Sequence, residues 1–314
     1  MNVVRLNVRG GAGDLIRQMV RLARPDHWVK NLIVLFPVVF ALRMGDPTAW
    51  FWAVAATAAF CLASSVAYII NDLHDRQRDR LHPFKKDRPL ASGKISPGAA
   101  LAEALVLAAV SVAIAAAVNL PVLGVTLAYL LLMLVYTFVL KHKMLLDVIT
   151  LALGFVLRAA AGGLAIRVEL SPWLFIVTFT LCLFMGYCKR FNEIVTLPPD
   201  SAAGHRATLA GYRPDLLTHL ITLSAAVAIV AFLLYATTPR TVAHVGTHYL
   251  VYTLPLVIYG VTRLAMLSMR GTYGDPTDVA LRDRPFQLTL LLWVVMAVFI
   301  LLFGKQLRDH LPLG

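Results

Sequence analysis

Residues 48–70 read TAWFWAVAATAAFCLASSVAYII, 23 residues without one charge, and residues 71–79 follow at once as Asn-Asp-Leu-His-Asp-Arg-Gln-Arg-Asp. The first stretch is long enough to cross the apolar layer of a membrane as a helix. The second carries that helix into water. At about 100° per residue, Asp72, Asp75 and Asp79 fall within roughly a 60° arc, with Asn71 one turn below Asp75. Three like charges on one face repel and call for a cation. Oxygen-only ligands facing water favour a hard ion, Mg2+, which keeps its own waters and bridges phosphate oxygens. The competing reading is a solvated acidic helix end with Arg76, Arg78 and Arg80 as local partners.

The rest of the chain repeats that pattern of apolar blocks with charges collected between them. Of 314 residues, 59% are hydrophobic and only 15% charged, with a mean hydropathy of +0.73. A soluble domain carries nearer a quarter charged residues. The composition therefore predicts an all-α polytopic membrane protein. Nine helices are expected, over about 28–44, 48–70, 99–118, 121–140, 145–166, 172–189, 215–236, 246–270 and 286–304. They form a single transmembrane domain over 28–304, between an N-terminal segment, 1–27, and an external tail, 305–314. Within the first segment, residues 13–24 read as a basic amphipathic helix lying on the leaflet, with a disordered tail as the alternative. No signal peptide is visible, since the first apolar run begins near Val29.

Basic residues set the orientation. With the N-terminus inside, segments 1–30, 71–98, 141–143, 189–213 and 263–284 hold 23 of the 29 Lys and Arg. The opposite side holds five, and Arg158 alone lies within a span. The expected location is the cell membrane, with the acidic motif and the long polar loops 71–98, 190–214 and 271–285 in the cytoplasm. The net charge of +12 then suits anionic headgroups and phosphorylated substrates. No basic run with interleaved aromatics points to nucleic acid. Cys61, Cys182 and Cys188 share no metal-ligand spacing and read as buried thiols. His244 and His248, four apart without a third ligand, read as an exposed pair. Small residues on helix faces suit internal packing and a homo-oligomer alike, so the oligomeric state stays open.

After the acidic motif come His82-Pro83-Phe84-Lys85-Lys86-Asp87-Arg88-Pro89-Leu90-Ala91-Ser92-Gly93-Lys94. Lys85, Lys86, Arg88 and Lys94 bring four cations beside the carboxylates, a pairing that neutralises a diphosphate leaving group. Ordinary flanking charge explains one or two of them. Arg158 costs about 2.5–3.5 kcal/mol near a helix centre, so it should face an anion, either a substrate phosphate or a carboxylate such as Asp147. Gly162 and Gly163 would let helices approach closely.

Residues Arg24 to Asn31, Asn71 to Asp79 and His82 to Gly93, on nine expected helices, resemble the UbiA superfamily of intramembrane prenyltransferases. The resemblance implies Mg2+ held through Asp72, Asp75 and Asp79, and a diphosphate substrate in a cavity between helices. One departure stands out. Ordinary members carry a second Asp-rich motif after the sixth helix, where this chain has Gly186-Tyr187-Cys188-Lys189-Arg190-Phe191-Asn192-Glu193. Those cations suit a donor with more phosphate than one diphosphate. The stretches Lys141–Asp147, Arg158–Gly162, Tyr187–Glu193 and Gly274–Pro285 resemble the decaprenyl-phosphate phosphoribosyltransferase branch. Its donor is 5-phosphoribosyl 1-diphosphate and its acceptor a polyprenyl phosphate, in the supply of cell-wall arabinan precursors.

The resemblance assigns roles. Asp72, Asp75 and Asp79, with Asn71, hold Mg2+ on the donor diphosphate, and Lys85, Lys86 and Arg88 neutralise it as it leaves. Tyr187, Lys189, Arg190 and Glu193 place the ribose or a phosphate. Arg158 and Lys141 are expected on the 5-phosphate or the lipid phosphate. The loop with Asp275, Asp278, Arg282 and Asp283 either closes over the site or is a solvated connection. Two other classes stay open: a prenyltransferase with an aromatic or isoprenoid acceptor, and a transporter of lipid or small molecules. Charges gathered at one face, instead of along a path across, argue against a carrier.

Overall fold

Proline and a short polar residue mark where most helices begin. The computed structural model describes residues 12–82, 85–196, 211–273 and 275–310. Among them are α1 (Ala12–Ala23), α2 (Phe36–Phe40), α3 (Pro47–Leu81), α4 (Pro97–Val118), α5 (Leu120–Phe138), α6 (Leu146–Ala165) and α7 (Pro172–Thr196). There follow α8 (Pro214–Thr237), α9 (Pro239–Val245), α10 (Leu254–Met269), α11 (Pro276–Arg282) and α12 (Arg284–His310). Proline is favoured at a first helical position because its missing N–H has no partner there anyway. Side chains cap several of the same ends: Asp46 Oδ1 accepts from the Thr48 and Ala49 amides at 2.9 and 3.2 Å. Asn119 Oδ1 accepts from Val122 at 2.8 Å and Asp283 Oδ1 from Phe286 at 2.9 Å. Each satisfies an amide that the helix itself leaves without a partner.

Seven described helical segments are long and apolar enough to cross a membrane: α3, α4, α5, α6, α8, Tyr249–Met269 and α12. They make this an integral membrane protein. Large apolar side chains such as Leu105 and Leu131, and Leu288, Leu291 and Val295 on α12, point outward, as a lipid environment requires. The other two expected spans, 28–44 and 172–189, are helical over most of their length as well. The first is a 3-10 segment, Pro25–Leu35, followed by the short α2. Pro37 cannot donate the hydrogen bond a continuous α-helix needs there. The second lies within α7, which runs on to Thr196, so the variant motif 186–193 sits on a helix and not in a loop. Residues 197–210 of the expected loop 190–214 lie outside the described residues, as do Pro83, Phe84 and Gly274. The expected external tail begins as helix, since α12 reaches His310.

The chain divides into two compact units. One comprises residues 1–32 and 55–138, the other 33–54 and 139–314. In the first, Leu22 of α1 is buried in one cluster with Val66, Ile69, Leu90, Ile95, Ala100 and Ala104. Leu15, Ile16 and Val20 of the same helix stay exposed. Ser111 Oγ on α4 donates to the Ala59 carbonyl on α3 at 2.8 Å, and Phe60 meets Tyr129 of α5 with ring centroids 5.3 Å apart. The second unit packs α6, α7, α8 and α10 around Phe184, Tyr187, Leu217, Ile221 and Leu264. A further cluster, with Phe232, Leu250, Ile300 and Leu301, joins α8 to α12.

Among the described glycines, the tightest approach in the second unit is at Gly162. A methyl group at Gly162 would lie 1.9 Å from the Val34 carbonyl oxygen, an overlap that only backbone movement relieves. Gly162→Ala is expected to cost about 1–3 kcal/mol, the usual range for overpacking. Thermal unfolding in detergent checks it: the midpoint should fall by several degrees, and an unchanged midpoint would contradict the packing described.

Candidate functional site

The acidic face predicted on α3 forms in the first unit, and what it meets is positive. Asp72 and Asp79 are 2% and 4% exposed. Arg88 Nη1 lies 3.1 Å from Asp72 Oδ1 and 2.7 Å from Asp79 Oδ2, so both carboxylates converge on a single nitrogen. Arg24 Nη2 reaches both oxygens of Asp72 at 2.7 Å. Asp75, half-buried, pairs with His74 at 3.1 Å. Two buried carboxylates this close require positive charge between them.

Local structure explains how Arg88 arrives there. The segment after α3 turns back on itself, with Arg80 Nε donating to the Ala91 carbonyl at 3.1 Å. Gly93 takes a left-handed conformation, φ 77, and the Ile95 amide returns to the Pro89 carbonyl at 3.1 Å. Buried Leu90 and Ile95 anchor the turn. Asn71 and Lys85 are half-buried and Lys86 is exposed. Among the described residues, no three His, Cys, Asp or Glu side chains are gathered as a metal-binding set. The nitrogen of Arg88 nevertheless marks a point where two carboxylates hold one cation, and a divalent ion fits that donor set of oxygens.

The second unit holds a separate charged cluster built on α7. Arg190, only 2% exposed, places Nε 2.9 Å from Asp147 Oδ2 and Nη1 on Glu193 one turn along. Tyr212 donates its hydroxyl to Asp147 Oδ1 at 2.7 Å and accepts from the Leu145 amide at 2.8 Å. Leu145 itself has a positive φ of 68. Lys189 pairs with Asp275, and Asn192 Nδ2 donates to the Tyr273 carbonyl. These two contacts fasten the segment after α10 to α7, and left-handed Gly271, φ 65, makes the return turn. Asp283 is engaged by Arg263 at 2.6 Å, whose guanidinium holds the carboxyl below the usual carboxylate range.

The expected residues therefore fall into two sets. Asp72, Asp79 and Arg88 come together as predicted. Tyr187, Lys189, Arg190 and Glu193 share one helix, with Tyr187 in the core. Lys141 is buried in a 3-10 turn. Arg158 is buried against the Phe155 ring, its guanidinium carbon 4.8 Å from the centroid. The carboxylate suggested for Arg158, Asp147, is instead bound to Arg190 and Tyr212. Arg190 thus has carboxylates where a phosphate was expected. Sequence reasoning quoted Arg24 without giving it a place in the site, and passed over Tyr212. A basic residue closing an amphipathic helix just before Pro25 was a usable signal for Arg24. Nothing local marks Tyr212, which meets Asp147 from 65 positions away.

Known proteins resemble this chain over most of its length. The UbiA prenyltransferase family model matches residues 32–291. The decaprenyl-phosphate phosphoribosyltransferase of Mycolicibacterium smegmatis is 33% identical over 296 residues, covering 91% of this chain and 92% of its own. That of Corynebacterium glutamicum is 34% identical over 304 residues, covering 92% and 89%. Among solved structures, a UbiA homolog from Archaeoglobus fulgidus bound to GPP and Mg2+ superposes with a TM-score of 0.68 at 21% identity, over 90% of this chain and 99% of that one.

Burial and the Asp147 carboxylate push the Tyr212 phenol well above its ordinary value. A group raised on folding stabilises fully below its unfolded value, about 10, and loses that contribution as pH rises toward the folded value. Tyr212→Phe should therefore flatten the loss of stability above about pH 10. Near neutral pH it should cost about 1–3 kcal/mol, because Asp147 loses a donor and Leu145 an acceptor. Unfolding midpoints of both proteins across that pH range test the assignment. Identical curves would contradict it.

Proposed function

The chain belongs to the UbiA prenyltransferase family, and from that premise we propose that it transfers 5-phosphoribose from 5-phosphoribosyl 1-diphosphate to a polyprenyl phosphate, releasing pyrophosphate. The observation that carries this reading is similarity to decaprenyl-phosphate phosphoribosyltransferases over about nine-tenths of each chain. The two charged clusters are consistent with it. One places carboxylates that accept a cation beside arginines. The other has Lys189, Arg190 and Glu193 on α7.

Asp72, Asp75 and Asp79, helped by Asn71, would hold Mg2+, which when bound supplies charge neutralisation to the diphosphate. Lys85, Lys86 and Arg88 neutralise the same leaving group as the bond from its oxygen to the anomeric carbon breaks. A lipid phosphate oxygen forms the new bond at that carbon. A phosphate monoester has a second pKa of about 6, so the acceptor is anionic at neutral pH and needs positioning more than a general base. Lys189, Glu193 and Tyr187 place the ribose and its phosphate. Arg190 acts on substrate through Glu193, whose carboxylate it orients. Lys141 and Arg158 remain assigned to the 5-phosphate or the lipid phosphate. The bias of basic residues supports a cytoplasmic side of the cell membrane for the N-terminus and for the charged groups outside the spans, with Arg158 alone inside one.

Purified protein in detergent, with Mg2+, decaprenyl phosphate and radiolabelled 5-phosphoribosyl 1-diphosphate, tests the reaction. Label should enter the lipid and stop doing so on addition of EDTA. Asp72→Ala, Asp75→Ala and Asp79→Ala should each lower turnover about 100-fold or more without unfolding the protein. Transfer of a prenyl chain from a prenyl diphosphate to an aromatic acceptor, with no label in decaprenyl phosphate, would replace this reading by ordinary prenyl transfer.

A further inference from the structure

We propose that Arg24 is a displaceable counter-ion: it holds Asp72 until a divalent cation takes the carboxylate, and its guanidinium then binds the diphosphate. The inference rests on the metal and diphosphate roles given above to the first unit. Three observations carry it. First, Arg24 touches both oxygens of Asp72 at 2.7 Å, while Arg88 already supplies Oδ1 with a second donor at 3.1 Å. A carboxylate has about four lone-pair sites, and a Mg2+ bound at about 2.0–2.1 Å from an oxygen leaves no room on that side for the guanidinium. Metal and Arg24 compete for Asp72, and like charge separates them.

Second, the backbone at Arg24 is held in place while its side chain keeps a route to solvent. Arg24 sits at φ 53, a left-handed conformation that a residue with a Cβ adopts at a cost. Ser65 Oγ donates to the Ala23 carbonyl at 2.7 Å and accepts from Trp28 Nε1 at 3.0 Å. The His27 amide returns to the Arg24 carbonyl at 3.0 Å. This clamp aims the side chain at α3 whatever the guanidinium binds. The side chain is 19% exposed against 2% for Asp72, so the arginine can turn toward a ligand that the carboxylate reaches only through a metal.

Third, the guanidinium carbon lies 5.2 Å from the Tyr68 ring centroid. That face supports a cation in either position and favours a planar group. A guanidinium also fits phosphate oxygens two at a time, which an ammonium does not. When Arg24 leaves Asp72, both groups keep an opposite charge.

Metal binding without donor separates this from a structural role. Free Mn2+ measured by its paramagnetic resonance signal gives the affinity of the purified chain for metal alone, and calorimetry with inorganic pyrophosphate and Mg2+ gives that for the diphosphate. Arg24→Gln should bind Mn2+ about tenfold more tightly and pyrophosphate about tenfold more weakly than the unsubstituted protein. Arg24→Lys, which reaches one oxygen at a time, should move both in the same directions by a smaller factor. It carries the test if Arg24→Gln does not fold. Mn2+ affinity that is unchanged or weaker in the variant that folds overturns the proposal. Asp72→Asn is the control for the underlying reading: Mn2+ bound as tightly as before would remove Asp72 from the metal site and the exchange with it. Turnover of the phosphoribosyl donor by the unsubstituted protein tests the reaction class independently.

Discussion

Asp72 accepts from two guanidiniums at once while almost wholly withdrawn from water. A carboxylate so placed costs several kcal/mol unless cations stand against it, and the first unit is arranged to supply them. The end of α1 brings Arg24. The turn after α3, fixed by Leu90 and Ile95 in the core, brings Arg88. Neither arginine lies on the helix that carries Asp72. Three separate segments are thus tied by the demand of one charge, and the hydrophobic contacts around Leu22, Val66 and Ile69 hold the geometry that meets it.

The same demand is met differently in the second unit. Asp147 takes Arg190 on one oxygen and the Tyr212 hydroxyl on the other. That phenol, pushed further above its ordinary value by burial, is protonated and so a donor. This network gives the arginine in the variant motif a reason that sequence alone does not supply. It neutralises Asp147, and its other end fixes Glu193 one turn along α7. Lys189 carries its charge on the neighbouring position and meets Asp275. A motif that reads as a run of ligand-seeking cations therefore contains one residue facing inward and one paired with the segment after α10.

What could be read from the sequence follows the range of the forces involved. Helix starts were legible from the apolar runs, and the structure places proline and capping side chains such as Asp46, Asn119 and Asp283 within a few residues of where those runs begin. The convergence of Asp72 and Asp79 was legible because seven residues make two turns of one helix. Arg88 stands close enough in the chain to be read beside them, whereas Arg24 and Tyr212 reach Asp72 and Asp147 across 48 and 65 positions through tertiary packing. The stretch expected as one helix at 28–44 is divided for a local reason. Its hydropathy suffices, but Pro37 interrupts the hydrogen-bond ladder, and hydropathy does not register a missing donor.

Charge pairing also bears on how a diphosphate donor is handled next to a low-dielectric environment. Two carboxylates, Asp72 and Asp79, face two guanidiniums, Arg24 and Arg88, and the set is neutral. If the carboxylates pass to a divalent cation, the balance holds only when the guanidiniums find anions of their own. The diphosphate that arrives with the cation provides them. An exchange of partners keeps every buried charge opposed throughout, whereas entry of metal or diphosphate alone leaves an uncompensated charge. At about 4 Å and an effective dielectric of about 20, one such unopposed interaction is worth about 4 kcal/mol. On the function proposed above, a site built in this way would favour the metal and the diphosphate together over either one singly. That preference follows from the arginines already seated on the carboxylates, and not from the carboxylates alone.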